Sequence, residues 1–320
     1  QECNISIGVY AAKNRASGCH NIALGASALC GAEGQITNNT GKANIGIGYN
    51  AAFCMRSGAC NTFLGESGKY VTTGSHNIGM GKLAGGSAVE SSGSHNISFG
   101  YRAGCCLTSG TNNIILGQDA GKNISAASNN VWIGLEAGKC SICQNNVFIG
   151  EAAGKGGDAN TLNNTTNCSV AIGQYALCLV TNGSNNTALG VAAGRNNGGG
   201  NNNTFVGRMA GMGGCTQFSG FQNTIVGAAA GQAITVARGS AILGTCAGHN
   251  ISTGCYNSLF GYKAGCDIST GNQNVVIGGS VGVPDPTGSN QLAIGIGGNH
   301  WIDGDSSYNV TLAGIAIKNS

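Results

Sequence analysis

A pattern of hydrophobic and polar positions recurs seventeen times along the chain: an Asn-like residue, a hydrophobic residue, any residue, a second hydrophobic residue and a glycine. The copies start at Asn4, Asn21, Asn44, Asn61, Asn77, Asn96, Asn113, Asn130, Asn146, Ser169, Asn186, Asn203, Asn223, Ser240, Asn257, Asn274 and Gln291. Ten of the sixteen intervals between starts are 17 residues long. A period this short predicts an all-β solenoid of about 17 short coils with a 17-residue repeat.

Each start is counted here as position 0. The residues at +1 and +3, such as Ile114 and Leu116, lie on one face of a β-strand, and we assign that face to the coil interior. Glycine at +4 in every copy and at +8 in most predicts bends with positive φ or close backbone contacts. One coil is then a short strand, a glycine corner, a second strand of small residues and a polar turn. Asn at position 0 predicts amide ladders between rungs.

Position +2 should face away from the interior of this coil, yet it is large and apolar in nine copies. The nine residues are Phe63, Ile115, Trp132, Phe148, Phe205, Ile225, Ile242, Leu259 and Val276. A strand that is apolar on both faces is usually buried on both faces. We therefore predict that this stripe is the interface of an oligomer, with a homotrimeric fibre as the best fit. The alternative is that long turns fold back over the stripe within one chain.

Composition narrows the functional classes. Glycine accounts for 58 of 320 residues without a period of three, which excludes collagen. Charged residues are only 8% of the chain, the net charge is +3, and the basic residues are scattered, so we expect no nucleic-acid partner. The chain contains no run of about 18 apolar residues, so no membrane span is predicted.

Fifteen cysteines are many for a fibre. Cys3 and Cys19, and likewise Cys30 and Cys54, have nearly matching phases in adjacent copies, so disulfides between rungs are predicted in an extracellular compartment. Small cysteines packed in turns are the alternative. Cys140 and Cys143 have metal-ligand spacing, but no second such pair follows, so no metal site is predicted.

Candidate catalytic groups are sparse. Glu136 and Glu151 fall in adjacent copies and could place two carboxylates on one side, which is the arrangement of glycosidases. A coil this small offers no cleft for them, and we interpret both as solvated. His20, His76 and His95 occupy the turn before a repeat start and are interpreted as turn residues. We predict no enzymatic activity and no cofactor.

The repeat array is predicted to span 1–282. Residues 283–320 contain the last repeat, at Gln291, and a C-terminal cap or junction in which Trp301 covers the end of the stack. A cap is expected because the unpaired strand edge at an open end of a solenoid can pair with another chain.

Two units, Asn-Thr-Ala-Leu-Gly-Val-Ala-Ala-Gly (186–194) and Asn-Ile-Ser-Phe-Gly-Tyr-Arg-Ala-Gly (96–104), resemble repeats in tail-fibre and structural proteins of marine and cyanobacterial phages. The run Asn-Gln-Leu-Ala-Ile-Gly (290–295) with Trp-Ile-Asp-Gly-Asp-Ser (301–306) resembles the segment that ends such arrays. Ser-Val-Ala-Ile-Gly-Gln-Tyr-Ala (169–176) is similar to the head repeats of trimeric autotransporter adhesins. The resemblance covers nearly the whole chain and implies a fibrous, trimeric β-structure.

We therefore expect an extracellular or virion-surface fibre that is structural and mediates attachment to a host or surface. Its partners would be copies of itself and a cell-surface glycan or protein receptor that the sequence does not specify. The main alternative is a subunit of a self-assembling extracellular filament. A glycan-degrading fibre is the weaker alternative, and a carboxylate-lined groove would distinguish it.

Overall fold

The computed structural model of the protein describes residues 3–14, 17–31, 40–86, 90–157, 166–214, 218–312 and 315–317. These residues form strands joined by turns and bends, with no helix among them. The chain divides into two compact units, 1–164 and 165–320. Each unit contains a parallel β-solenoid, so the predicted all-β solenoid fold is confirmed.

Unit 1 stacks one three-residue strand for each copy of the repeat. The strands are β1 (Ile5–Ile7), β2 (Ile22–Leu24), β3 (Ile45–Ile47), β4 (Thr62–Leu64), β5 (Ile78–Met80), β6 (Ile97–Phe99), β7 (Ile114–Leu116), β8 (Val131–Ile133) and β9 (Val147–Ile149). Neighbours are parallel and pair by repeat position, as Ile115 pairs with Trp132. The 23-residue interval between β2 and β3 keeps this register, because Ile22 still pairs with Ile45.

Unit 2 begins with the same arrangement. Its strands are β10 (Val170–Ile172), β11 (Thr187–Leu189), β12 (Thr204–Val206), β13 (Thr224–Val226), β14 (Ala241–Leu243), β15 (Ser258–Phe260), β16 (Val275–Ile277), β17 (Leu292–Ile296), β18 (Asn299–Gly304), β19 (Val310–Leu312) and β20 (Ile315–Ile317). β17 pairs in parallel with β16 and antiparallel with β18, and the pairs β18–β19 and β19–β20 are also antiparallel. Trp301, in β18, is 56% exposed and does not cover the stack as predicted.

The middle residue of the strand, position +2, points into the coil. All nine large residues at this position are 0% exposed within one chain: Phe63, Ile115, Trp132, Phe148, Phe205, Ile225, Ile242, Leu259 and Val276. The prediction that they form an outward stripe and an oligomer interface is therefore wrong. The coil is narrow enough that one side chain per strand fills it, and since side chains alternate along a strand, +1 and +3 face outward.

The size of the residue at position +8 compensates for the size of the interior side chain at position +2. Trp132 lies against Gly121 and Gly138, where an added Cβ would be 2.7 Å and 2.6 Å from the indole. Where +2 is Gly46, the buried Leu29 at +8 of the preceding rung occupies the space, with its Cγ 3.0 Å from a Cβ built on the glycine. Because interiors pack at near-crystalline density, a large +2 residue requires a small +8 residue.

The glycine at +4 is required by both conformation and space. Gly134 has φ +132°, a region that is essentially restricted to glycine. A Cβ there would lie 2.6 Å from the carbonyl oxygen of Gly150 on the next rung. The predicted bend and the predicted close approach therefore occur at the same residue.

The segment after this glycine is a series of turns, and the predicted second strand is not found in the described part of the chain. Left-handed residues alternate there: Arg102 has φ 56° and Gly104 has φ 58°. Positive φ is incompatible with an extended strand. The segment still bonds to the next rung, since the Gly104 N–H donates to the Ala120 carbonyl at 2.9 Å.

The side chains at position 0 form a buried ladder of hydrogen bonds from rung to rung, which confirms the predicted amide ladder. The backbone N–H and the Nδ2 of Asn130 both donate to the Asn113 Oδ1 at 3.1 Å, and the Nδ2 also donates to the Cys143 carbonyl at 2.9 Å. Asn130 then accepts from the Asn146 N–H at 3.0 Å. Ser240, at an equivalent position, accepts from the Asn257 N–H through its Oγ at 3.1 Å. The ladder satisfies polar groups that water cannot reach.

Candidate functional site

Strand positions +1 and +3 form an apolar surface in each unit, which we call the outer face. In unit 1 it consists of Ile5, Ile7, Ile22, Leu24, Ile45, Ile47, Thr62, Leu64, Ile78, Met80, Ile97, Phe99, Ile114, Leu116, Val131, Ile133, Val147 and Ile149. Thr62 is the single polar member. Ile78 is 40% exposed and Met80 is 45% exposed, so these side chains meet solvent in the single chain.

The outer face of unit 2 is apolar at +3 and mixed at +1. Its members are Val170, Ile172, Thr187, Leu189, Thr204, Val206, Thr224, Val226, Ala241, Leu243, Ser258, Phe260, Val275, Ile277, Leu292 and Ile294. Leu189 is 48% exposed and Phe260 is 40% exposed. In β11, β12 and β13, threonines pair with threonines at +1, as Thr187 does with Thr204.

Position +5, just after the glycine, adds exposed apolar side chains to both units. Tyr49, Tyr101 and Leu135 contribute in unit 1, and Val191 and Tyr262 contribute in unit 2; all five are exposed. The parallel stack repeats similar side chains on every rung. A contact made at one rung can therefore be repeated at the next.

Charged residues of unit 1 are paired across rungs in the turns after the strands. The Nε of Arg102 lies 2.7 Å from the Oδ1 of Asp119, and the Nζ of Lys122 lies 3.9 Å from the same oxygen. Asp119 is almost fully buried, with 7% of its side chain exposed. A carboxylate this buried depends on its cationic neighbours.

Glu136, a candidate catalytic carboxylate in the sequence, lies on the following rung and is paired in the same way. It forms ion pairs with Lys139 and with the Nζ of Lys155, the latter at 2.5 Å. Burial alone would raise the pKa of this carboxyl, but hydrogen bonds from the two lysines hold the pKa below its ordinary value. Glu136 is therefore ionised at neutral pH, which does not suit a general acid.

Unit 2 carries an exposed column of aromatic and cationic groups in its turns. The Arg238 guanidinium lies 5.8 Å from the ring centre of Phe221 and 5.4 Å from that of Tyr256. Both rings are exposed, Tyr256 by 50%. The sequence signal for this column was weak, because the three residues stand in three different copies and only the stacking of rungs brings them together.

The predicted disulfides are not formed, since none of Cys3, Cys19, Cys30 and Cys54 is bonded to another cysteine. In each pair the two cysteines are one repeat position out of phase, Cys30 at +9 and Cys54 at +10, so they do not share a column of the stack. Even within one column, side chains are about 4.8 Å apart and point the same way, whereas a disulfide needs Cβ atoms about 3.5–4.5 Å apart. Cys30 is instead buried in the coil, and burial raises the pKa of the half-buried Cys54 thiol. The alternative interpretation, small cysteines packed in turns, applies to this pair.

The sequence interpretation assigned the residues of the outer face to the coil interior, which is the wrong side of the strand. Two details of the sequence indicate the correct side. Position +2 varies from Gly46 to Trp132, and leucine replaces glycine at +8 at Leu29 and Leu177, where the +2 residues beside it are small. Such size compensation is expected of two positions that share an interior.

Comparison with known proteins does not supply a function for this surface. A scan against protein-family models, a search of curated proteins and a search of solved structures each find no match. Within the described residues, no helix combines the length and apolar character needed to cross a membrane. The function is therefore inferred from geometry.

Proposed function

We propose that the protein is a structural fibre subunit that associates with copies of itself through its outer faces, as a homotrimer, and mediates attachment at a cell or virion surface. The observation that carries the proposal is the outer face of unit 1, where Thr62 is the only polar residue at the eighteen outward positions of the nine strands. Monomeric soluble proteins rarely expose a continuous apolar patch above about 300–600 Å².

The size of the outer face supports a specific interface. Seven of its eighteen side chains are at least 36% exposed and the other eleven are half-buried. Since a large apolar side chain presents on the order of 150–250 Å² when fully exposed, the surface measures on the order of 1,000 Å². One partner contributes about 800 Å² to a standard protein interface. The outer face of unit 1 therefore has the area that a stable complex needs.

The occupant we infer is a second and a third copy of the chain. Each rung presents its apolar side chains in one direction, so copies arranged around an axis parallel to the stack bring like rungs together. Closed rotational symmetry buries every outer face and leaves the turns outside, whereas open stacking does not limit the number of copies. Contact repeated rung by rung would set the register between chains.

Attachment would use the turns that remain outside such a trimer. The Phe221–Arg238–Tyr256 column offers flat aromatic surface with a cation between the rings, which suits the apolar faces and hydroxyl groups of a glycan. Three copies would present three such columns, and weak contacts linked together bind far more strongly than one alone. The paired state of Glu136 favours a binding role over glycan cleavage.

Mass in solution tests the proposal. We expect light scattering to give three times the chain mass of 31.7 kDa, with or without reductant, and negative-stain images to show discrete particles. Replacing Met80 and Phe99 with lysine should produce monomers, because it places charges on the outer face of two adjacent strands. The matched control is Thr73→Lys, at an exposed turn residue, which should leave the mass unchanged.

Two results would contradict the trimer. A monomer at all concentrations would show that the outer face has no partner in solution. Filaments of unlimited length would favour the alternative of a polymer subunit.

A further inference from the structure

Two adjacent cysteines of unit 1 lie with their sulfur atoms close together in the turn after β6. The Sγ atoms of Cys105 and Cys106 are 3.5 Å apart. Cys105 is buried, at 9% exposure, and Cys106 is half-buried. The more accessible thiol thus lies in front of a buried one.

This pair is poorly suited to forming a disulfide with itself. Consecutive Cα atoms across a trans peptide are about 3.8 Å apart, whereas disulfides usually join Cα atoms about 4.4–6.8 Å apart. Closing the bond would strain the turn and make it easy to reduce. The two sulfurs are therefore expected to persist as a dithiol.

A third side chain borders the pair. The Oδ1 of Asn123 lies 3.9 Å from the Cys106 Sγ, and its Nδ2 lies 3.6 Å from the Cys140 Sγ on the following rung. The Asn123 amide thus separates Cys106 from Cys140 and directs its oxygen towards Cys106. An amide oxygen is a usable, though weak, metal ligand.

We propose that Cys105 and Cys106 form a two-thiolate binding site for a thiophilic divalent cation of the Zn²⁺ and Cd²⁺ class. At a metal–sulfur distance of about 2.3 Å, sulfurs 3.5 Å apart subtend roughly 100° at the metal, close to the tetrahedral angle and far from a linear arrangement. Binding would release the protons of the two thiols to solvent.

Water and the Asn123 amide oxygen would complete the coordination. Among the described residues, no group of three or more His, Cys, Asp or Glu side chains is placed to hold a metal ion, so the site is open and its affinity moderate. The Cys140–Cys143 pair, which has ligand spacing in the sequence, is less suited. Burial raises the pKa of Cys143 to about 12, and its thiol is paired with Ser141, so it stays protonated.

The test is residue-resolved thiol alkylation of the full chain in a phosphine reductant, read by mass spectrometry with and without Cd²⁺. We expect Cd²⁺ to slow the alkylation of Cys106 about tenfold or more, because a bound cation occupies the sulfur. Cys168, an exposed lone cysteine, and Cys178, a buried one at the same repeat position as Cys105, should be unaffected. Equal rates at Cys106 with and without Cd²⁺ would overturn the site.

Three variants sharpen this result. Cys106→Ser should remove one equivalent from a Cd²⁺ titration followed by thiolate-to-metal charge-transfer absorbance, and Cys178→Ser should remove none. Asn123→Cys should tighten binding by about tenfold, because it adds a third thiol beside Cys106. A cysteine fits there, since Asn123 has φ 62° and Cys140 holds φ 61° at the equivalent position. Unchanged stoichiometry in Cys106→Ser, together with unchanged affinity in Asn123→Cys, would reject the proposal.

Discussion

In unit 1, position +1 of the outer face is Ile or Val in eight of nine strands, whereas in strands β11 to β15 of unit 2 it is Thr, Thr, Thr, Ala and Ser. The interiors do not differ in this way. Phe148 in unit 1 and Phe205 in unit 2 are both fully buried, and each lies against a glycine at +8, Gly154 and Gly194.

This contrast separates two kinds of constraint on one repeat. The coil itself fixes positions 0, +2, +4 and +8, because those residues fill the interior or pass close to the next rung. Position +1 points away from the coil, so packing of the interior does not determine which residue stands there. We therefore expect unit 1 to contribute more to self-association than unit 2, although both keep an apolar residue at +3.

The largest expected effects fall on the shared interior. Phe148→Ala and Phe205→Ala should each lower the free energy of unfolding by about 3–5 kcal/mol, because each leaves a cavity in a closed coil. Denaturant unfolding, with hydrogen exchange to localise the loss, measures both. A loss confined to one of the two variants would contradict the equivalence of the interiors.

Next come the glycines at +4. Gly134→Ala should cost about 3 kcal/mol, since alanine is strained at φ +132° and its Cβ would meet the Gly150 carbonyl oxygen at 2.6 Å. Gly279→Ala is the matched control, because a Cβ there meets nothing within 4 Å. Thermal unfolding compares the two, and equal stabilities would show that the close approach of the rungs is not a constraint.

The amide ladder should show a smaller effect. Asn130→Ala removes the donor to the Cys143 carbonyl and the acceptor of the Asn146 N–H, while the Asn113 Oδ1 keeps only the backbone N–H of residue 130, which should cost about 1–3 kcal/mol. Asn130→Ser should cost less, because the serine hydroxyl accepts from the next rung at Ser240. Chemical denaturation measures the order, and a serine variant less stable than the alanine variant would refute the ladder's role.

Exchanging outer-face residues addresses the contrast between units directly. Ile114→Thr gives unit 1 the residue of unit 2 and should weaken self-association by about 1 kcal/mol per chain, with little change in the stability of the coil. Thr204→Ile should strengthen self-association to a similar degree. Sedimentation equilibrium measures the association constant of both variants. A change of the same sign in the two would contradict the proposed difference between the units.

The smallest effect is a pH dependence confined to unit 1. Because the folded pKa of Glu136 lies below its ordinary value, its ion pairs add stability above the unfolded pKa and lose it as the pH falls through the folded pKa. The two ion pairs are half-buried, which limits this to about 1 kcal/mol or less. Glu136→Gln should flatten the acidic side of a plot of stability against pH, and an unchanged slope would show that the lysines do not act on it.

Much of the coil could be predicted from the sequence, because its constraints fall on fixed positions. Register, the glycine at +4 and the Asn130 ladder all follow from residues that recur at one phase. The face of the strand that points into the coil could not be predicted in this way. With Ile114, Ile115 and Leu116 all apolar, alternation does not indicate which face is interior.

Two further features depend on geometry that spacing does not contain. The turns after Gly117 are not a strand, because residues such as Asp119 adopt a positive φ of 55° that no residue type there signals. Cysteines of similar phase predicted bridges between rungs, but the members of each pair are one position out of phase, and even side chains in one column are held too far apart. The Phe221–Arg238–Tyr256 column could be found only once the register was known.

Hydroxyl-radical footprinting below and above the concentration of assembly tests the central claim most directly. If outer faces bury one another, Met80, Phe99 and Tyr101 should become protected as the protein assembles, while exposed Tyr256 and Tyr308 stay reactive. Unchanged reactivity at Met80 and Phe99 in the assembled particle would show that the outer face is not the interface.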